Sequence, residues 1–180
     1  MIGVDEVGRG AWAGPLLVCA ARLRHPVAGL RDSKKLTKTQ RELLAIQLNK
    51  QADIGFGWVS AAEIDNHGLA AALRLAAVRA MADINPRPNE PIVIDGTVNL
   101  LPDTYCVTTV VKADDSVPAV SAASIVAKVA RDAYMVQLAQ TYACYGFDAH
   151  VGYGTLRHRQ AIIDNGLTPE HRKSFRMRLA

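Results

Sequence analysis

The chain has 180 residues, 49% of them hydrophobic and 21% charged. That suits one domain with a sizeable core and excludes a disordered segment. No apolar run reaches the roughly 18 residues a membrane-spanning helix needs, so no membrane association is expected.

The net charge of +4 is unevenly placed. Residues 1–150 hold 15 Lys and Arg against 15 Asp and Glu, so the whole excess falls in the last thirty residues. There Arg157, Arg159, Arg172, Lys173, Arg176 and Arg178 face only Asp164 and Glu170. A local positive field of this kind suits a polyanion such as nucleic acid. Cys19, Cys106 and Cys144 lack redox or zinc spacing and read as reduced core residues. Met1 leads straight into an apolar run with no secretory leader pattern, so a cytoplasmic protein is expected.

In chain order, Ile2-Gly3-Val4 opens a first strand that ends in Asp5 and Glu6. A second strand over Gly14–Leu23 follows through a glycine turn. A helix over Thr37–Gln51 takes Thr37 as its N-cap. Gly55–Val59 is a third strand, Ala61–Asn66 a short helical turn and Gly68–Ile84 a strong helix, stopped by Pro86 and Pro88. Pro91–Asp95 and Tyr105–Val111 are strands four and five. A long helix covers Ser121–Ala139, and two shorter helices follow Tyr142. The pattern is an α/β domain, a five-stranded mixed sheet flanked by helices with a small helical C-terminal cap. Residues 1–141 form the catalytic part and residues 142–180 the cap, as a single compact unit.

Four carboxylates carry the functional signal: Asp5, Glu6, Asp95 and Asp114. A short β-branched run that ends in an acid reads as a buried strand with its carboxylate at the tip. Gathering several anions costs free energy, which hard divalent cations relieve. Such a set can hold two Mg²⁺ or Mn²⁺ ions for in-line displacement at phosphorus. No His or Cys cluster favours zinc. Beside the first pair, Gly8-Arg9-Gly10 lets backbone approach a ligand and offers an arginine fork for phosphate. Ser121, Ser124 and Lys128 share one face of the long helix.

These residues sit in motifs that resemble type 2 ribonuclease H, the ribonuclease HII family, over nearly the whole chain. They are GVDEVGRG at residues 3–10, DSKKL from Asp32 to Leu36, VIDG at Val93 to Gly96 and the long run from Lys112 to Asp132. YGFDAHVGYGT from Tyr145 to Thr155 and EHRKSF from Glu170 to Phe175 complete the order. The resemblance implies a ribonuclease H-like fold and maps the family's metal carboxylates onto Asp5, Glu6, Asp95 and Asp114. Its Lys-Gly-Asp-Ser pattern selects Asp114 over the neighbouring Asp115. It implies hydrolysis of RNA in RNA–DNA hybrids and a cut 5′ to a single ribonucleotide in duplex DNA.

By the same resemblance, backbone around Gly8-Arg9-Gly10 and the Tyr153 side chain meet the 2′-hydroxyl, Tyr153 also stacking on the next sugar. Ser33 and Lys34 contact phosphate in the family's fashion. His171 and Arg172 are expected to brace the cap. Three departures stand out: Ala11 for the family's Pro, Ala113 for its Gly, and Val151 where a Lys commonly stands, with loss of a phosphate contact. Neither a clamp-binding peptide after Phe175 nor a substrate-binding extension before Met1 is expected, and a monomer is expected.

Overall fold

A computed structural model describes residues 1–30 and 33–178. Asp32, the first residue of one motif, lies outside the described residues.

Five strands form one mixed sheet in the order β3-β2-β1-β4-β5. They are β1 (Ile2–Val7), β2 (Leu16–Leu23), β3 (Ala52–Val59), β4 (Ile92–Asp95) and β5 (Val107–Val110). β2 runs antiparallel to β1 and β3, while β1, β4 and β5 are parallel. The helices are α1 (Lys38–Gln51), α2 (Ala61–His67), α3 (Leu69–Ile84), α4 (Ala113–Ser116), α5 (Pro118–Thr141), α6 (Phe147–His150) and α7 (Leu156–Asn165). None is long and apolar enough to cross a membrane among the described residues.

Strand alternation splits the core in two. Ile2, Val4, Leu16 and Val18 face α3 and join Ala72, Ala76 and Ala80. Leu17, Cys19 and Ala21 face the other way, against Ala122, Ile125 and Val126 of α5. Small residues let both helices lie close to the sheet. A Cβ on Gly57 would collide with the Ala76 carbonyl of α3, and one on Gly3 with the Ala119 backbone of α5. Gly57→Ala therefore forces α3 off the sheet, and its expected cost is about 1–3 kcal/mol in chemical denaturation.

Several elements differ from expectation. β3 starts at Ala52, directly after α1, because cross-strand pairing to Leu23 extends it. α5 starts at Pro118, which suits the first turn since its missing N–H has no partner to lose there. Asp114 is not at a strand tip: Lys112 turns the chain in a left-handed conformation (φ 57°), and Asp114 sits on α4. The family's glycine position, here Ala113, is not among the positive-φ residues and is fully buried. Cys106 and Cys144 are exposed, so only Cys19 is a core cysteine. Arg172, counted toward the basic field, is fully buried and spends its charge inside the protein.

Candidate active site

The parallel strands set the site. Val4 pairs with Ile94, so the next residues, Asp5 of β1 and Asp95 of β4, come level at the carboxyl ends of neighbouring strands. Open α/β sheets collect ligands at such ends. Alternation then separates the adjacent acids. Asp5 faces α5, where Ser124 hydrogen-bonds its carboxylate. Glu6 faces α3 and lines a hollow with Leu69 and Leu73.

The acids are held by short bonds. The Glu6 amide donates to Asp5 Oδ1 at 2.8 Å, and the Ala113 amide to Asp95 Oδ1 at 2.7 Å. Ser33 Oγ and Ser124 Oγ lie 3.0 Å apart, both buried. The chain Ser33–Ser124–Asp5 therefore ties the 33–35 turn to the first strand. Asp114 is buried, and Lys34 Nζ approaches its Oδ2 at 3.6 Å. Lys35 pairs with Asp115 at 2.7 Å, which separates the roles of the two adjacent acids.

A depression of about 450 Å³ brings together Asp5, Glu6, Asp95, Gly8, Arg9, Gly10, Ser33, Lys34, Ser124, Lys128 and Tyr153. Thus eleven of the thirteen residues singled out in the sequence line one surface. The other two, Asp114 and Ser121, are buried and do not line it: Ser121 Oγ donates to the Asp114 carbonyl at 2.7 Å and fastens α5 to α4. Arg41, which no sequence pattern marked, also lines the depression, with its guanidinium on the Ser33 and Leu36 carbonyls. A second, more apolar hollow of about 550 Å³ adjoins it and shares Glu6, Arg9 and Asp95.

Gly8 is at φ +84°, and a Cβ there would strike the Arg131 side chain. The nearest side chain to a Cβ on Gly10 would be the Tyr153 ring, at 4.0 Å. The glycine–arginine–glycine turn and Tyr153 are thus side by side. Gly152 and Gly154 let the Tyr153 turn press on Ala13 and the Trp12 ring, and the Trp12 amide donates to the Gly152 carbonyl at 2.8 Å. His158 Nδ1 donates to the Tyr153 carbonyl (3.0 Å), and its Nε2 meets His171 Nε2 at 3.1 Å. Burial pushes both imidazoles down to about 4, so they sit neutral as structural bonds.

The donor set fits hard divalent cations. All four candidate ligands are carboxylates, and no imidazole or thiol lines the depression. Burial pushes the Asp5 carboxyl up to about 7, and the Glu6 and Asp95 charges add to the rise. Glu6 is also raised, chiefly by burial, with Asp95 contributing. Among the described residues no three acidic, imidazole or thiol groups already converge as a finished cage. Lys34 beside Asp114 and Arg9, 3.6 Å from Glu6, supply positive charge instead.

The shift at Asp5 has a measurable sign. Its folded pKa lies above the ordinary 3.8, so ionising it opposes folding, and metal-free protein loses stability as pH rises from about 4 to about 7. Asp5→Asn removes that penalty. Without divalent ions the variant is expected to melt above the parent at pH 8 and to lose the advantage at pH 4. Added Mg²⁺ or Mn²⁺ stabilises only the parent strongly and narrows the gap.

The ribonuclease HII family model matches residues 2–180. A ribonuclease HII of Streptomyces avermitilis is 48% identical over 176 residues, covering 96% of this chain and 75% of that protein. In the PCNA–RNase HII complex from Archaeoglobus fulgidus, the matching chain is 26% identical with a TM-score of 0.82. That match covers 98% of this chain and 95% of the other. Bst-RNase HIII in complex with Mn²⁺ shares the fold at 21% identity and a TM-score of 0.70, covering 97% of this chain and 66% of that one. A site of strand-end carboxylates beside a glycine–arginine–glycine turn, together with a family match along nearly every residue, makes this chain a member of the ribonuclease HII family, an endoribonuclease.

Proposed function

We propose that the protein cuts the RNA strand of RNA–DNA hybrids and, in duplex DNA, cuts on the 5′ side of a single ribonucleotide. One observation carries this reading: three of the four carboxylates (Asp5, Glu6 and Asp95), the glycine–arginine–glycine turn and Tyr153 line the same depression. Reaction chemistry and a reader of the sugar thus share one surface.

Asp5, Glu6, Asp95 and Asp114 would hold two divalent ions, Mg²⁺ or Mn²⁺. Such ions, when bound, ease deprotonation of a water and neutralise charge developing on the phosphate and the leaving oxygen. The protein's own groups do the rest. Amide and serine bonds stop Asp5 and Asp95 from rotating away. Water adds to phosphorus as the P–O3′ bond breaks; the departing oxygen takes a proton to become a 3′-hydroxyl, and the phosphate stays on the 5′ end of the ribonucleotide. Arg9, Lys34 and Lys128, all on the depression, supply the phosphate with positive charge.

Recognition rests on one group. A 2′-hydroxyl both donates and accepts, and backbone at Gly8–Gly10 offers both functions where no Cβ intervenes. The Tyr153 ring, partly exposed at 37%, stacks on the following deoxyribose and contacts the same hydroxyl. Residues 142–180 act as a cap that presents this ring, in a protein expected to work as a monomer in the cytoplasm.

A type 1 activity, which needs several consecutive ribonucleotides, is the competing reading. Duplex DNA with one ribonucleotide and a long RNA–DNA hybrid separate the two. Cleavage of both supports the proposal; cleavage of the hybrid alone assigns type 1 behaviour.

Val151 also bears on binding. It holds a left-handed conformation (φ 44°), unusual for a β-branched side chain, at the base of the Tyr153 turn. Val151→Lys relieves that crowding and adds a charge beside the depression. The slope of log affinity against log salt is expected to steepen by about 0.9, one phosphate contact. An unchanged slope would show that no phosphate passes there.

A further inference from the structure

Two arginines are fully buried beneath the recognition surface, Arg131 on α5 and Arg172 near the C-terminus. Their side-chain hydrogen bonds all go to main-chain carbonyls. Arg131 donates through Nε to Pro15 (2.9 Å), through Nη1 to Val151 (2.9 Å) and through Nη2 to Ala13 (3.2 Å). Arg172 donates to Gly14 at 2.9 and 3.1 Å and to Arg9 at 3.1 Å. Burying a guanidinium is costly, and a leucine or methionine would fill the space more cheaply. The fork must therefore supply something packing cannot.

What it supplies is a shared joint. Arg131 touches both recognition loops at once. Its side chain fills the space under Gly8 that a Cβ would need. Its guanidinium carbon lies 5.7 Å from the centroid of the Tyr153 ring. Its Nη1 bond holds the Val151 carbonyl at the base of the same turn. Arg172 fixes the other end of the clamp by the Arg9 carbonyl. A planar five-donor fork sets two loops in one register as a single point charge does not.

We propose that Arg131 is a positioning residue for ribonucleotide discrimination, setting the spacing between the Gly8–Gly10 backbone and the Tyr153 ring. This rests on the proposed roles of those two elements. With correct spacing, one sugar is held between hydroxyl reader and stacking ring. Without it, a continuous RNA strand still offers many hydroxyls, but a lone ribonucleotide has only one position to satisfy.

The test is the ratio of kcat/KM on duplex DNA with one ribonucleotide to that on a long RNA–DNA hybrid, for the parent, Arg131→Lys, Arg131→Met and Tyr153→Ala. The ratio does not depend on the folded fraction, so a partly destabilised variant remains informative. Arg131→Lys is expected to lower it roughly ten- to hundredfold, mainly through kcat, and Arg131→Met at least as far. In a Tyr153→Ala background, Arg131→Lys should lower the ratio little further, since the ring it positions is gone. Equal losses on both substrates would reduce Arg131 to a folding residue and overturn the proposal. So would independent, multiplying losses in the double variant. If Tyr153→Ala leaves the parent ratio unchanged, the reading of Tyr153 itself fails, a result distinct from failure at Arg131 alone.

Discussion

Asp95→Asn is expected to lower the cleavage rate by about 10³-fold or more, with the fold intact. On the proposed assignment of Asp95 as a metal ligand, losing one anionic ligand from a site that neutralises developing charge on a phosphate costs several kcal/mol, and about 4 kcal/mol corresponds to that factor. The substitution is nearly isosteric. Asparagine Oδ1 can still accept the Ala113 amide bond that Asp95 Oδ1 receives at 2.7 Å, so the β4–α4 connection has no reason to move. Two readings separate chemistry from folding. Melting temperature without divalent ions should stay close to the parent's, while calorimetric binding of Mn²⁺ should weaken sharply. A variant that binds Mn²⁺ as the parent does and still cleaves would remove Asp95 from the ligand set.

Phe147→Ala is expected to cost about 3–5 kcal/mol of stability, the usual toll of emptying a fully buried aromatic site. For a chain of this length that lowers the melting temperature by roughly 10 °C. Phe147 is fully buried and sits at the centre of the C-terminal cluster. It stacks on Tyr145 at 5.4 Å, and meets the His158 and His150 rings edge-on at 5.5 and 5.9 Å. Those histidines hold the Tyr153 turn through the Tyr153 carbonyl and the Gly152 amide. The stability loss is therefore expected with a second effect, weaker cleavage at a single ribonucleotide even where the protein stays folded. Phe147→Leu, which keeps most of the volume, should cost far less, and urea denaturation of the pair checks the comparison. Equal costs would mean that aromatic stacking, not filled volume, holds the cluster.

Most of the site was legible because its chemistry sits where local sequence changes character. Apolar runs ending at Asp5 and Asp95 specify two strands, of which β4 stops at its acid while β1 continues to Val7, and parallel pairing brings the two acids level. Gly8 and Gly10 flanking Arg9 mark a turn in which Gly8 takes a positive φ where a Cβ would strike Arg131, and Gly10 lies beside the Tyr153 ring. Asp114 was identified by motif but misplaced by pattern, since Val107–Val110 ends before it and a left-handed Lys112 starts a short helix that hydrophobic periodicity does not reveal. Arg131 escaped a functional role because charge in a sequence reads as surface, and Arg172, expected to brace the cap, also holds the Arg9 carbonyl. The spacing Ser124, Lys128, Arg131 does place Arg131 on the helix face toward the site, and that was the available signal. Arg41 had none, since its place depends on the Ser33 turn folding back onto α1. The cysteines misled for the opposite reason: apolar neighbours in sequence do not bury Cys106, just before β5, or Cys144, on the short 3-10 turn Ala143–Tyr145.

The decisive measurement is the position and end chemistry of the cut in labelled duplex DNA containing one ribonucleotide, with Mg²⁺ or Mn²⁺ present, beside the Asp95→Asn variant. One cut at the 5′ side of the ribonucleotide, leaving a 3′-hydroxyl and a 5′-phosphate and absent in the variant, is the predicted result. Cleavage on the 3′ side, or a duplex left intact while a long RNA–DNA hybrid is degraded, would contradict it.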